Sequence, residues 1–160
     1  MLKRYLKDQR GLTLIELLAV IVILGIIAAI AVPSIGGIIG NTKEKAHRAN
    51  ALMLLDAARL YDIEKNAGNG NFTLSTATPK GTISGNSRNI EEALVSNGYL
   101  DAIPKDPEAD NAAYSTITIT KNGSQISITL GGTPTGGTAK TYVNNKTKDL
   151  INTQTDLTTG

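Results

Sequence analysis

The sequence predicts an α+β chain, one long N-terminal helix followed by a small domain of antiparallel strands, and three observations predict it. The first is an apolar run from Leu12 to Ile39 with a carboxylate, Glu16, near its head. The second is a stretch from Thr42 to Lys65 whose apolar residues recur at helical spacing. The third is the alternation of Ile117, Ile119, Ile126, Ile128 and Leu130 about Asn122-Gly123, the period of a half-buried hairpin.

The totals set the frame for these elements. A length of 160 residues fits one domain, less the part that a membrane segment removes from any soluble core. A formal net charge of +2 is too small to argue for nucleic acid by itself. With no cysteine, disulfides, thiolate nucleophiles and cysteine-ligated zinc are excluded. One Phe, no Trp and five Tyr imply a thin core.

Residues 1–10 carry Lys3, Arg4, Lys7 and Arg10 against Asp8, a positive segment expected on the cytoplasmic side and too short and polar to fold. An ordinary secretory signal is cut after its apolar region. Here the small residue, Gly11, precedes it, so cleavage at that point leaves the apolar segment on the mature protein. From Leu17 to Ile39 no residue is charged. At about 1.5 Å per residue this stretch spans roughly 35 Å, enough for a hydrocarbon core of about 30 Å. Leu, Ile and Val each favour insertion by about 0.3 to 0.6 kcal/mol, which outweighs one terminal carboxylate. Pro33 removes an N–H and crowds the carbonyl of Ala29, which loosens the helix. Gly25, Gly36, Gly37 and Gly40 add backbone freedom or allow close helix approach.

Between Thr42 and Lys65, Ala46, Ala49, Met53, Ala57 and Leu60 form one stripe, and Ala51, Leu54, Ala58 and Tyr61 a neighbouring one. Lys45, Arg48, Asp56, Arg59 and Asp62 are expected on the remaining surface. Ala67-Gly68-Asn69-Gly70-Asn71 ends the helix. Phe72 to Arg88 reads as a loop with one short strand. Asn89 to Val95 reads as a capped short helix, with Glu92 in the place of a capping-box partner. Pro104 and Pro107 make the following segment extended. In the hairpin, a type I′ turn at Asn122-Gly123 sets Ile119 opposite Ile126 and Ile117 opposite Ile128. Its apolar face is expected to lie on the amphipathic half of the helix. Lys140 to Val143 adds a further strand, and beyond Asn144 a loosely packed tail is expected.

With the basic leader, Gly11, Leu12-Thr13-Leu14-Ile15-Glu16-Leu17-Leu18, Gly25 and Pro33 in view, the first quarter of the chain resembles the class III signal and N-terminal helix of type IV pilins and type II secretion pseudopilins. The resemblance implies that a prepilin peptidase cuts between Gly11 and Leu12 and methylates the new Leu12 amine. Many members carry Phe at that position. It implies residues 1–11 as leader, 12–40 as transmembrane and assembly helix, 41–66 as its amphipathic continuation and 67–160 as an exported β-rich domain. The α+β fold it implies packs a long helix against an antiparallel sheet. It implies a structural subunit rather than an enzyme, anchored by a single pass in the cytoplasmic membrane and then extracted into a cell-surface helical homopolymer by a platform protein and an ATPase. Many pilins close their C-terminal region with a disulfide, which this sequence lacks.

Physical chemistry gives Glu16 a reason of its own. In an array of identical helices, the nearest cation to a membrane-edge carboxylate is the Leu12 amine of a neighbour, and such a pair sets register more than stability. Gly25 to Pro33 then forms the flexible section. Elsewhere, His47 is the only histidine and, among Lys43, Lys45 and Arg48, is expected at a solvated or interface position. That basic group could meet lipid headgroups or DNA phosphate, but a salt-bridged helix face is the simpler reading. Asp106, Glu108 and Asp110, with Asp101, offer oxygen ligands for calcium, against the simpler reading of solvated turn residues. Alternatives are a pseudopilin, a competence pilin that takes up DNA, and a membrane-anchored binding protein or enzyme.

Overall fold

The computed structural model describes residues 2–68, 70–81, 85–110 and 112–158, with side chains from residue 14 onward except Asn66. Helix α1 runs Leu2–Asn66. The backbone of the basic leader is therefore helical, contrary to expectation. A short polar segment avoids the cost of nucleation when it extends an existing helix. The chain divides into two compact units, Met1–Thr42 and Lys43–Gly160.

In the first unit, the large apolar side chains from Leu14 to Ile39 are 51% to 69% exposed on every side. Pro33 lies inside α1 without ending it. This is the one helix among the described residues long and apolar enough to cross a membrane.

The second unit holds the rest of α1 and a five-stranded sheet in the order β2-β1-β3-β4-β5. The strands are β1 (Phe72–Ser75), β2 (Ser87–Asn89), β3 (Thr116–Asn122), β4 (Gln125–Gly132) and β5 (Lys140–Thr147). Ala51, Leu54, Leu55, Ala58 and Tyr61 of α1 share one core with Leu74, Ile117, Ile119, Ile128, Leu130 and Val143. Of the two expected stripes, the one through Ala51, Leu54, Ala58 and Tyr61 is buried. Met53 and Leu60 of the other are 42% and 55% exposed. The helix ends where Ala67 and Gly68 turn left-handed, at φ +49° and +71°, and Gly68 N–H donates back to Asp62 O.

Three local expectations are corrected. β1 and β2 pair in parallel, so the sheet is mixed. Ser87 and Arg88 read as loop and Asn89 as a helix cap, yet side-chain bonds hold Ser87–Asn89 as an edge strand: Asn89 Nδ2 to Thr78 O at 2.6 Å and Ser87 Oγ to Thr78 Oγ1 at 3.0 Å. The short helix Glu91–Val95 has π-type bonding. Asn89 Oδ1 does accept from the N–H groups of Glu91 and Glu92, but Glu92 bonds Gly81 N–H instead of closing a capping box.

The hairpin register differs by two residues. Ile119 pairs with Ile128, Ile117 with Leu130 and Lys121 with Ile126, so the turn residues are Gly123-Ser124. Gly123 has φ +61°, and Ser124 is not among the described residues of positive φ, which suits a type II′ turn with glycine first. A shift of two keeps every side chain on its face. The local turn preference was therefore free to yield without turning any core side chain outward.

The C-terminal segment is packed, not loose. It forms α2 (Lys148–Thr153), buries Ile151 and Leu157 and returns along β5 with Asn144 N–H bonded to Leu157 O. Arg48 donates to the carbonyls of Ile151 and Gln154, which satisfies acceptors at the end of α2.

Candidate functional site

Glu16 sits on the α1 backbone with an exposed side chain, amid the apolar surface that begins at Leu14. The Leu12 side chain lies outside the described side chains, so the structure does not place it beside Glu16. A Cβ added at Gly25, Gly36, Gly37 or Gly40 would meet nothing within 4 Å, leaving flat places for another backbone. Chemically, this surface offers a long apolar contact and one anionic point. The apolar contact is non-directional and the carboxylate supplies an axial mark.

A second cluster, in the Lys43–Gly160 unit, gathers residues that the sequence reading kept apart. His47 is 3% exposed within the single chain, a correction to its expected solvated or interface position. Its ring stacks on Tyr142 at 3.8 Å and 15°. Nδ1 lies 2.8 Å from the Tyr114 hydroxyl. Nε2 is buried without a hydrogen-bond partner among the described residues, 3.6 Å from Glu108 Oε1 and 4.0 Å from Asp106 Oδ1.

Asp106 is wholly buried and its oxygens are engaged. Tyr142 donates to Oδ2 at 2.9 Å and Glu108 N–H to Oδ1 at 2.8 Å. Gly132 makes room for it, since a Cβ there would fall 1.9 Å from Asp106 Oδ2. Burial pushes Glu108 upward, but the Lys140 ammonium together with His47 and Lys43 holds the carboxyl below its ordinary value. Burial likewise raises the Tyr114 hydroxyl to about 12 and the Tyr142 hydroxyl further, so both stay protonated and act as donors.

The expected calcium ligands are therefore not solvated turn residues as a set. Asp106 and Glu108 converge on His47, while Asp110 is exposed, at φ +44°. Among the described residues, no group of three or more His, Cys, Asp or Glu side chains is arranged to hold a metal ion. Asp106 and Glu108 serve as hydrogen-bonding and ion-pairing groups of the core.

The basic group is also divided. His47 is inside, and Arg48 is spent on the C-terminal carbonyls and on Glu44. Asp62, expected at the surface, is buried and accepts from Lys121 Nζ at 2.8 and 2.7 Å. An open cleft of about 610 Å³ lies beside Asn89, Asp101 and Tyr114, with Lys80 and Glu91 on its wall. Those two charges pair with each other at 2.9 Å.

Comparisons with known proteins agree with the N-terminal geometry. Residues 6–32 match the model of the prokaryotic N-terminal methylation motif. The chain is 35% identical over 104 residues to a type II secretion system core protein G of Pectobacterium carotovorum subsp. carotovorum, covering 62% of this chain and 62% of that relative. It is 32% identical over 111 residues to a type II secretion system core protein G of Klebsiella pneumoniae, covering 64% of this chain and 71% of the relative. A fimbrial protein of Pseudomonas aeruginosa is 38% identical over 77 residues, 48% of this chain and 47% of the relative. The chain thus spans less than two thirds of the Pectobacterium relative. No solved structure matches.

Proposed function

This chain belongs to the type IV pilin and type II secretion pseudopilin superfamily, and on that premise we propose that it is a structural subunit of a type IV pilus-like filament, polymerised through α1. The observation that carries the reading is the unbroken apolar surface from Leu14 to Ile39 with Glu16 near its head. A surface of that extent is not left in water. Lipid covers it in the stored subunit, and the helices of other copies cover it in the filament.

In this reading a prepilin peptidase removes residues 1–11 and methylates the Leu12 amine, while Gly25 and Pro33 let the helix adjust as subunits pack. The subunit waits in the cytoplasmic membrane with its β-rich domain exported. A platform protein and an ATPase then draw it into a surface polymer. The chain carries out no catalysis of its own, and its work is assembly. His47 and the Tyr114 hydroxyl it meets are both buried, and Lys80 and Glu91 are paired with each other.

The second reading, a subunit of a type II secretion pseudopilus, is favoured by the extent of one likeness. The 104 residues shared with the Pectobacterium secretion protein exceed the 65-residue helix, so the likeness takes in part of the exported domain. Short envelope-bound fibres would mark that reading, and long surface fibres the first.

Gly11 provides the test of processing. A Gly11→Leu chain is expected to accumulate in the membrane as uncut precursor, seen as the mass of the full leader on the intact protein. Cleavage of that variant at the normal rate would contradict the processing step.

A further inference from the structure

We propose that His47 is an acid-sensitive latch: its neutral form, with the proton on Nε2, ties the segment carrying Asp106 and Tyr114 and the start of β5 to α1, and protonation loosens that tie. The hydrogen-bond partners, and the two carboxylates that face Nε2, favour this neutral form. Asn50 Nδ2 lies 3.2 Å from Lys105 O, which can only accept, so that atom is the amide nitrogen. Its other hydrogen goes to the Tyr114 oxygen at 3.0 Å. The Tyr114 hydrogen then goes to His47 Nδ1 at 2.8 Å, and the ring's single proton stays on Nε2.

A second proton, placed on Nδ1, meets the Tyr114 hydroxyl hydrogen head on. The hydroxyl must rotate away, and its oxygen must then accept from Asn50 and His47 together. Stacking on Tyr142 and burial at 3% exposure leave the ring little room to move instead.

The charged groups around the ring come from three elements. From α1, Lys43 acts on Glu108, while Arg48 is turned to the C-terminal carbonyls. From the segment between Lys105 and Tyr114 come Asp106, Glu108 and the Tyr114 hydroxyl. From β5 come Lys140, which pairs with Glu108, and Tyr142, which bonds Asp106. Both carboxylates favour the imidazolium, but each already has a partner. Burial is the largest influence and outweighs them, with Lys140 adding to it, so His47 is held below its ordinary 6.5.

The sign follows from that direction. The unfolded chain takes up a proton near pH 6.5 and the folded one only below it. The latch is intact above that value and weakens as pH falls through the window beneath it, reaching a floor once the folded ring is also protonated. Within the window, opening of the tied segment increases by up to about tenfold per pH unit. Glu108, held below its ordinary 4.5, titrates in a separate, lower window.

The test uses the full chain in detergent micelles and hydrogen exchange, corrected for intrinsic rates. Between about pH 7.5 and 5.5, amides of Asp106, Ala112 and β5 should lose up to about tenfold in protection per unit below 6.5, while the β3–β4 hairpin holds. In His47→Gln the pH dependence of those amides should vanish. If that variant does not fold, nitrogen chemical shifts of wild-type His47 at pH 7.5 decide the tautomer. A bare Nδ1 and protonated Nε2 support the latch. A proton on Nδ1, unchanged wild-type protection across the range, or an equal loss in folded His47→Gln would overturn it.

Discussion

Glu16→Val inserts into the membrane as well as the native chain does and yields about tenfold fewer filaments or worse. Insertion is retained because Val favours the hydrocarbon core by about 0.3 to 0.6 kcal/mol, whereas a carboxylate opposes entry. The assembly loss follows from the surface described above. From Leu14 to Ile39 it is apolar on every side, so two such helices can slide along one another with little change in contact. A single charge pair to the Leu12 amine of a neighbour removes that freedom. Truncating one member of a desolvated pair also leaves the other uncompensated, which weakens an interface by an order of magnitude or more. The check is a count of filaments per cell beside the membrane level of the subunit. Native filament numbers from Glu16→Val alone would remove the register role.

The second large effect is expected on stability, at the far end of the same helix. Lys121→Met strips the counter-charge from Asp62, whose two oxygens lie 2.8 and 2.7 Å from Lys121 Nζ. The ammonium also donates to Gly68 O at 2.7 Å, so one side chain joins the helix terminus to β3. Breaking a buried pair from one side costs about 3 to 5 kcal/mol, a large part of the roughly 5 to 15 kcal/mol that holds a domain together. Urea unfolding of the micelle-bound chain, followed by tyrosine fluorescence, should show a loss of that size. The double variant Asp62→Leu with Lys121→Met should recover most of it, because two apolar groups leave no orphaned charge. A Lys121→Met loss under about 1 kcal/mol would show that water reaches Asp62 and that the pair is a surface one.

Elements set by local pattern could be read from the sequence, and those set by distant partners could not. The apolar span and the hairpin follow from periodicity, which is local and survives in any context. The register did not follow, because Asn122-Gly123 is a good type I′ turn by itself. Glycine at 123 serves equally as the first residue of a type II′ turn, so the local signal does not choose between them. The Asp62–Lys121 pair did leave a trace: Lys121 continues the inward positions of Ile117 and Ile119, where a cation is unexpected without a partner. His47 left a similar trace. Its charged neighbours Lys43, Lys45 and Arg48 suggest a solvated face, yet 47, 51, 54, 58 and 61 form one unbroken helical stripe, and the last four are core residues. Position in the stripe outweighed the character of the neighbours. The C-terminal segment was opaque for a different reason. It carries few apolar residues, and its order depends on Arg48 reaching across more than a hundred positions of sequence. As for the N-terminal site, Glu16 and the glycines were evident in the motif itself, since a charge beside a membrane span is conspicuous in any sequence.

The central claim, that the apolar helix exists to build a polymer, is tested most directly by electron microscopy of material sheared from cells and labelled with antibody to the Lys43–Gly160 unit. The account predicts fibres labelled along their length, containing chains that begin at Leu12. Antigen found only in membrane fractions, with no labelled fibre in cells that express and process the chain, would contradict it.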